Sequence, residues 1–183
     1  LMFGEMLIHH GKLPFQNVAI SFVAGLLLPY LLAAITRIQT IPHGHYLVLV
    51  PFVMAFMSDT FAYFVGSAMG KHKLAPKVSP KKTREGAVGG LVGGMVGMIL
   101  FRIVFFLVTE VQLNIGWCVL LGLLGAAMGQ LGDLSFSAVK REYGIKDYGR
   151  LLPGHGGVLD RFDSMMMVGP LMEALLILIP MAV

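Results

Sequence analysis

The stretch AVGGLVGGMVGMILFRIVFFLV at residues 87–108 contains a single charged residue, Arg102. About 20 mostly apolar residues are enough for a helix to cross the hydrocarbon core of a bilayer. Glycines recur at every fourth position of this stretch, which is typical of helices that pack closely against their neighbours in a membrane. A glycine-rich nucleotide loop is disfavoured because the glycines lie inside a span. The stretch therefore predicts a transmembrane helix with a glycine-lined packing face.

The composition of the whole chain also indicates a membrane protein. Of its 183 residues, 56% are hydrophobic and 13% are charged, whereas roughly a quarter are charged in a typical globular protein. Disorder requires the opposite balance of hydrophobicity and charge, and a single cysteine, Cys118, excludes a disulfide scaffold. The net charge of +4 is modest, so the positions of the charges are more informative than their sum.

Five stretches are long and apolar enough to span a bilayer. Each is expected to be a helix, because lipid offers no hydrogen-bond partner to an exposed backbone amide. The stretches also lack the alternation of a membrane β-barrel. We therefore predict an all-α, polytopic membrane helix bundle that forms one membrane-embedded domain over residues 1–183. The predicted spans are residues 18–36, 46–66, 87–108, 116–139 and 165–183.

The basic residues predict how the bundle is oriented. The loops at residues 39–45 and 109–115 contain no Lys or Arg, whereas the loop at residues 67–86 and the segment at residues 140–163 carry eleven of the fourteen basic residues. Two spans separate these basic segments, so they lie on the same side, which the positive-inside rule makes cytoplasmic. We expect a protein of the cell (inner) membrane. The eleven residues are Lys71, Lys73, Lys77, Lys81, Lys82, Arg84, Lys140, Arg141, Lys146, Arg150 and Arg161.

Two acidic residues, Asp59 and Asp133, lie inside predicted spans near the basic segments. A carboxylate in hydrocarbon must pair, bind a cation or face water. Either the two residues lie near the membrane surface or pair with neighbouring lysines, or they line a polar cavity that opens to the cytoplasm. Helical spacing supports the cavity, because Asp133, Ser137 and Lys140 share one face of a helix.

Acidic groups beside many Lys and Arg side chains suit phosphate chemistry. Carboxylates hold a hard divalent cation such as Mg²⁺, and basic side chains hold phosphate oxygens. The chain contains no Cys/His spacing typical of zinc and no GxxxxGK[ST] loop. A Ser–His–Asp hydrolase is a poor interpretation, because His155 occurs without a GxSxG elbow.

The segment SFSAVKREYGIKDYGRLLPGHGGVLDRFDS at residues 135–164 closely resembles the signature of phosphatidate cytidylyltransferases, also called CDP-diacylglycerol synthases. The stretches SDTFAYFVG (58–66), SPKKTREG (79–86) and QLGDL (130–134) resemble the same family. Family members are longer, so we expect further N-terminal transmembrane helices that this chain lacks. The matching signature positions are Ser137, Val139, Lys140, Arg141, Lys146, Asp147, Gly149, Pro153, His155, Gly156, Gly157, Asp160, Arg161, Phe162 and Asp163.

The resemblance implies an enzyme that converts CTP and phosphatidate to CDP-diacylglycerol and pyrophosphate. It further implies that Asp133 and Asp160 bind Mg²⁺, with a monovalent cation such as K⁺ nearby. It favours a homodimer embedded in membrane lipid, and no nucleic-acid partner is expected. The predicted catalytic residues are Asp133 and Asp160, from the resemblance, together with Lys140, Asp147 and Asp163, from their charge and position.

The substrate-binding residues are assigned from charge and position. Lys140, Arg141 and Lys146 would neutralise phosphates, and Asp147 and Asp163 would complete or orient the metal shell. For Lys81 and Lys82 a pyrophosphate clamp and a solvated basic loop are both open. His155 either contacts substrate or makes a structural hydrogen bond, and Gly156 and Gly157 form either an anion nest or a turn. The full set is Ser58, Asp59, Lys81, Lys82, Ser137, Arg141, Lys146, His155, Gly156, Gly157 and Arg161.

Two alternative functions remain open from the sequence. The first is the same chemistry on another lipid phosphate. The second, from a different class, is a cation-coupled transporter that uses Asp59 and Asp133 as cation sites. Transporters of that kind usually show repeated halves and sites at the membrane midplane, and this sequence shows no internal repeat.

Overall fold

The computed structural model describes residues 15–149 and 157–179, which are mostly helical. The elements are α1 (Phe15–Phe22), a π-helical segment (Val23–Leu27), α2 (Leu28–Leu32), α3 (Ala34–Ile38), α4 (Gly44–Leu47), α5 (Val50–Met69), β1 (Lys73–Ala75), β2 (Ser79–Thr83), α6 (Arg84–Thr109), α7 (Ile115–Glu142), α8 (Leu159–Phe162) and α9 (Met165–Leu178).

Four helical segments within the described residues are long and apolar enough to cross a membrane. They are Phe15–Ile38, Gly44–Met69, Arg84–Thr109 and Ile115–Glu142, and they confirm the first four predicted spans. The fifth predicted span begins at Met165 as expected, but its helix α9 has only 14 residues. At 1.5 Å per residue it is roughly 21 Å long, which is shorter than the hydrocarbon core. The all-helical membrane bundle is therefore confirmed, with a shorter last helix than the hydropathy predicts.

The basic loop at residues 67–86 contains the strands that the sequence did not predict. Strands β1 and β2 pair antiparallel, with Lys73 opposite Thr83 and Ala75 opposite Ser79. Thr83 then ends the hairpin and caps α6, because its Oγ1 accepts a hydrogen bond of 3.1 Å from the Gly86 amide. The hairpin is thus joined directly to the third span, and it is held against the end of the bundle.

The glycines of α6 lie at the packing faces, as the sequence predicts. Gly89 and Gly93 face α5, and Gly94 faces α7. A Cβ atom on Gly94 would lie 2.5 Å from the Gly122 carbonyl oxygen of α7. Such a contact is shorter than van der Waals packing allows, so α6 and α7 approach this closely only because Gly94 has no side chain.

Replacement of Gly94 by Ala is therefore expected to separate α6 from α7 and to destabilise the bundle by about 1–3 kcal/mol. The measurement is the thermal unfolding midpoint of the detergent-solubilised protein. Gly25→Ala is the matched control, because nothing lies within 4 Å of a Cβ atom on Gly25. Equal midpoints for the two variants would contradict the packing argument.

The apolar core lies between α5, α6, α7 and α9, and it includes Met54, Met98, Leu121 and Met172. The first span is attached to the last helix by a bidentate ion pair. Arg37 Nε and Nη2 donate to Glu173 at 2.5 and 2.7 Å. These contacts hold α9, and therefore the polar segment that precedes it, at a fixed position against the bundle.

Candidate active site

The polar face predicted on the fourth span is present on α7. Ser137 Oγ donates to Asp133 Oδ1 at 3.3 Å, and Lys140 follows on the same side of the helix. Lys82, which lies on strand β2, forms an ion pair with Asp133 Oδ2. This contact confirms one of the alternatives that the sequence left open for Asp133, namely an ion pair with a lysine of the basic loop.

Lys140 connects α7 to the segment around α8. Its Nζ lies 2.9 Å from Asp160 Oδ1 and 4.0 Å from Asp163 Oδ2. The side chains of Lys140 and Asp160 are only 10% and 4% exposed. A buried lysine therefore holds two carboxylates of the signature segment against the fourth span.

Asp160 also organises the backbone around it. Its Oδ2 accepts hydrogen bonds from the amides of Tyr148 at 2.8 Å and Gly157 at 2.9 Å. Burial alone would raise the pKa of Asp160, but the hydrogen bonds from Lys140 and these two amides lower it below its ordinary value. Asp160 is thus held as a carboxylate, and it ties the loop after α7 to the start of α8.

Asp163 lies in a different electrostatic environment. Burial is the largest effect on its carboxyl group, followed by the negative charge of Asp133, and together they raise its pKa. Asp59 of α5 is likewise within electrostatic range of Asp133, Lys82 and Asp163. We call the acidic and lysine side chains described so far in this site the carboxylate–lysine cluster. Its members are Asp59, Asp133, Asp160, Asp163, Lys82 and Lys140.

A cavity of about 310 Å³ adjoins the cluster, between α5, the start of α6, α7 and the hairpin. Asp59 lines it, together with Lys81 and Lys82 of β2. Gln130, three residues before Asp133, also lines the cavity and donates from Nε2 to the Ala87 carbonyl at 3.0 Å. The cavity therefore places acidic and basic side chains from separate elements around one space.

Other predicted residues lie apart from this cavity. Ser58 is buried, and its Oγ has no hydrogen-bond partner among the described residues. Arg141 donates to the carbonyls of Val78 at 3.2 Å and Ile145 at 3.1 Å, so it attaches the hairpin to the end of α7. Lys146, Asp147 and Arg161 are exposed and form no ion pair within residues 15–149 and 157–179. His155 and Gly156 lie outside the described residues, and Gly157 is buried and bonds Asp160.

Sequence reasoning missed Tyr148. Its hydroxyl donates to the Phe136 carbonyl at 3.0 Å, and Lys140 Nζ lies 5.3 Å from the centre of its ring. It also missed Gln130 as a cavity residue. For Gln130, the signal available in the sequence was its position one helical turn before Asp133. For Tyr148, the signal was its place beside Asp147 in the signature segment.

The chain belongs to the cytidylyltransferase family, whose family model matches residues 1–179. It is 48% identical over 134 residues to a phosphatidate cytidylyltransferase of Staphylococcus haemolyticus, covering 73% of this chain and 50% of that protein. Identity to the phosphatidate cytidylyltransferase of Staphylococcus aureus strain COL is 46% over 141 residues, covering 76% and 52% of the two chains. The chain thus spans about half the length of the curated relatives it matches.

Proposed function

We propose that this protein transfers CMP from CTP to phosphatidate and releases pyrophosphate. The observation that carries the proposal is the carboxylate–lysine cluster beside a cavity in a membrane helix bundle. The family match over residues 1–179 and the similarity to phosphatidate cytidylyltransferases also support the proposal. In the proposed reaction, an oxygen of the lipid phosphate attacks the α-phosphorus of CTP. The bond between the α-phosphorus and the oxygen that bridges it to the β-phosphate breaks, and pyrophosphate leaves.

The cluster fits a reaction between two polyanions. Phosphoryl chemistry needs mainly positioning and charge neutralisation from the protein. Lys81 and Lys82 at the cavity supply positive charge toward the phosphates of CTP and of the lipid. Lys140 acts differently, because its ammonium group is occupied by Asp160 and Asp163. Its role in the proposal is to keep these two carboxylates in place against α7.

The donor set fits Mg²⁺, although no group of three or more metal-binding side chains occurs within the described ranges. Mg²⁺ is usually held by one or two carboxylates together with substrate phosphates and water. Asp133 and Asp160, on separate elements, would hold it, and Asp163 lies within electrostatic range of Asp133. When bound, the ion would neutralise charge on the reacting phosphates. A monovalent cation such as K⁺ nearby is part of the proposal and rests on the family resemblance.

The proposed location is the cytoplasmic face of the cell membrane. The cavity lies at the end of the bundle that carries the hairpin and the basic residues after α7, and basic residues favour the cytoplasmic side. CTP would enter from that side, whereas phosphatidate would come from the surrounding lipid. A homodimer is also proposed, on the resemblance alone.

The test is an assay of the full-length protein in mixed micelles of phosphatidate with each of the four ribonucleoside triphosphates. Product is expected with CTP and Mg²⁺, and EDTA is expected to abolish it. A parallel competition among lipid phosphates tests whether phosphatidate is the preferred acceptor. Absence of a nucleotide–lipid product with any triphosphate, from protein that elutes as a single folded species, would contradict the proposal.

A further inference from the structure

The ion pair between Lys82 and Asp133 occupies a carboxylate that the proposed function assigns to a metal ion. Asp133 Oδ2 contacts the Lys82 ammonium, and Asp133 Oδ1 accepts the hydrogen bond from Ser137. Both oxygens of this carboxylate therefore have partners within the protein. A divalent cation at Asp133 would therefore compete with the Lys82 ammonium for Oδ2.

Lys82 is the partner that can leave. The side chains of Lys82 and Asp133 are 28% and 26% exposed, whereas those of Lys140 and Asp160 are 10% and 4% exposed. A partly exposed ion pair is worth at most about a fivefold change in an equilibrium constant. The Asp160 carboxylate also accepts from two backbone amides, so Lys140 is held more firmly in its ion pair than Lys82 is in its own.

Electrostatics favour the position of the Lys82 ammonium beside Asp133. Asp59, Asp133 and Asp163 lie within electrostatic range of one another, and Lys82 acts on both Asp59 and Asp163. Like charges close together destabilise a site unless a cation separates them. The Lys82 ammonium provides that cation from strand β2 of the hairpin. It also lines the cavity, so a small movement would direct it toward bound phosphates.

We propose that Lys82 is an internal counter-ion of Asp133 that a divalent cation displaces, so that its ammonium group becomes available to the substrate phosphates only after the metal has bound. This proposal rests on the proposed function, and in it Lys82 couples the binding of the metal ion to the binding of the substrate phosphates. The order of binding follows, because a nucleotide that arrives first meets a lysine already neutralised by Asp133.

The test measures Mn²⁺ binding by electron paramagnetic resonance of the free ion, using the full-length detergent-solubilised protein without nucleotide. Lys82→Gln is expected to bind Mn²⁺ about fivefold more tightly than the wild type, because the competing ammonium is gone. Lys81→Gln removes the same charge from the neighbouring position of the hairpin, and we expect it to change the affinity less than twofold. Lys82→Arg preserves the ion pair and is expected to bind Mn²⁺ no more tightly than the wild type.

A second measurement on the same variants is the thermal unfolding midpoint with and without Mn²⁺. Mn²⁺ is expected to raise the unfolding midpoint of Lys82→Gln by more than it raises that of the wild type, because tighter binding to the folded state stabilises it more. Equal Mn²⁺ affinities of Lys82→Gln and Lys81→Gln, or no Mn²⁺ binding by any of the proteins, would overturn the inference. If the wild type nevertheless forms CDP-lipid in the nucleotide assay, the proposed function stands, and only the proposed displacement of Lys82 by the metal ion is wrong.

Discussion

Replacement of Asp133 by Asn is expected to lower kcat/KM for CMP transfer at least about 100-fold, a loss of about 3 kcal/mol of transition-state stabilisation. Asp133 interacts with several members of the carboxylate–lysine cluster. It accepts from Ser137, pairs with Lys82, and acts on Asp59 and Asp163 through its charge. The Asn side-chain amide has nearly the same shape as the Asp carboxylate. The substitution should therefore remove the negative charge and leave helix α7 intact.

The control for this variant is Glu142→Gln on the same helix. Glu142 is exposed at the end of α7 and forms no ion pair with the described residues. We expect its kcat/KM to remain within about twofold of the wild type. Turnover by Asp133→Asn at a similar level would remove Asp133 from the active site and, with it, the proposed metal position.

Replacement of Lys140 by Met is expected to destabilise the protein by about 3–5 kcal/mol, because it leaves Asp160 and Asp163 without their cation. Both carboxylates are at least partly enclosed, with Asp160 only 4% exposed. The measurement is the free energy of unfolding in a detergent titration or, where unfolding is irreversible, the thermal midpoint. Lys146→Met is the matched control, since Lys146 is exposed and should cost little.

A double variant separates the buried charge from a general packing defect. Lys140→Met combined with Asp160→Asn removes both members of the pair and no longer buries an uncompensated charge at Asp160. We expect it to recover part of the stability lost in Lys140→Met. If the double variant is less stable by the sum of the two single changes, Lys140 acts through packing, and its proposed role in holding the carboxylates is wrong.

The sequence predicted the long helices because their signal is local. Residues 87–108 combine an apolar run with glycines at fourth positions, and both the span and its packing faces follow from that pattern. The last helix was predicted too long, because hydropathy does not show that the helix ends at Leu178. The hairpin was missed because SPKKT at residues 79–83 is lysine-rich and is paired as a strand by contacts with residues 73–75.

The site was predicted in part for the same reason. The face formed by Asp133, Ser137 and Lys140 follows from helical spacing alone, and the structure shows the Ser137–Asp133 hydrogen bond. The choice of partners could not be predicted, because it depends on which distant elements pack together. Lys82 reaches Asp133 across the hairpin, and Lys140 reaches Asp160 across the loop after α7. The roles of the individual residues in metal and substrate binding stay predictions.

The most direct test of the proposed chemistry follows two phosphate labels in CTP. With phosphatidate, Mg²⁺ and the full-length protein, a label at the α-phosphate should appear in the chloroform-soluble lipid, whereas a label at the γ-phosphate should appear only in pyrophosphate. The Asp133→Asn protein should leave both labels in CTP. Transfer of the γ-label to lipid, or no transfer of either label by folded wild-type protein, would contradict the account.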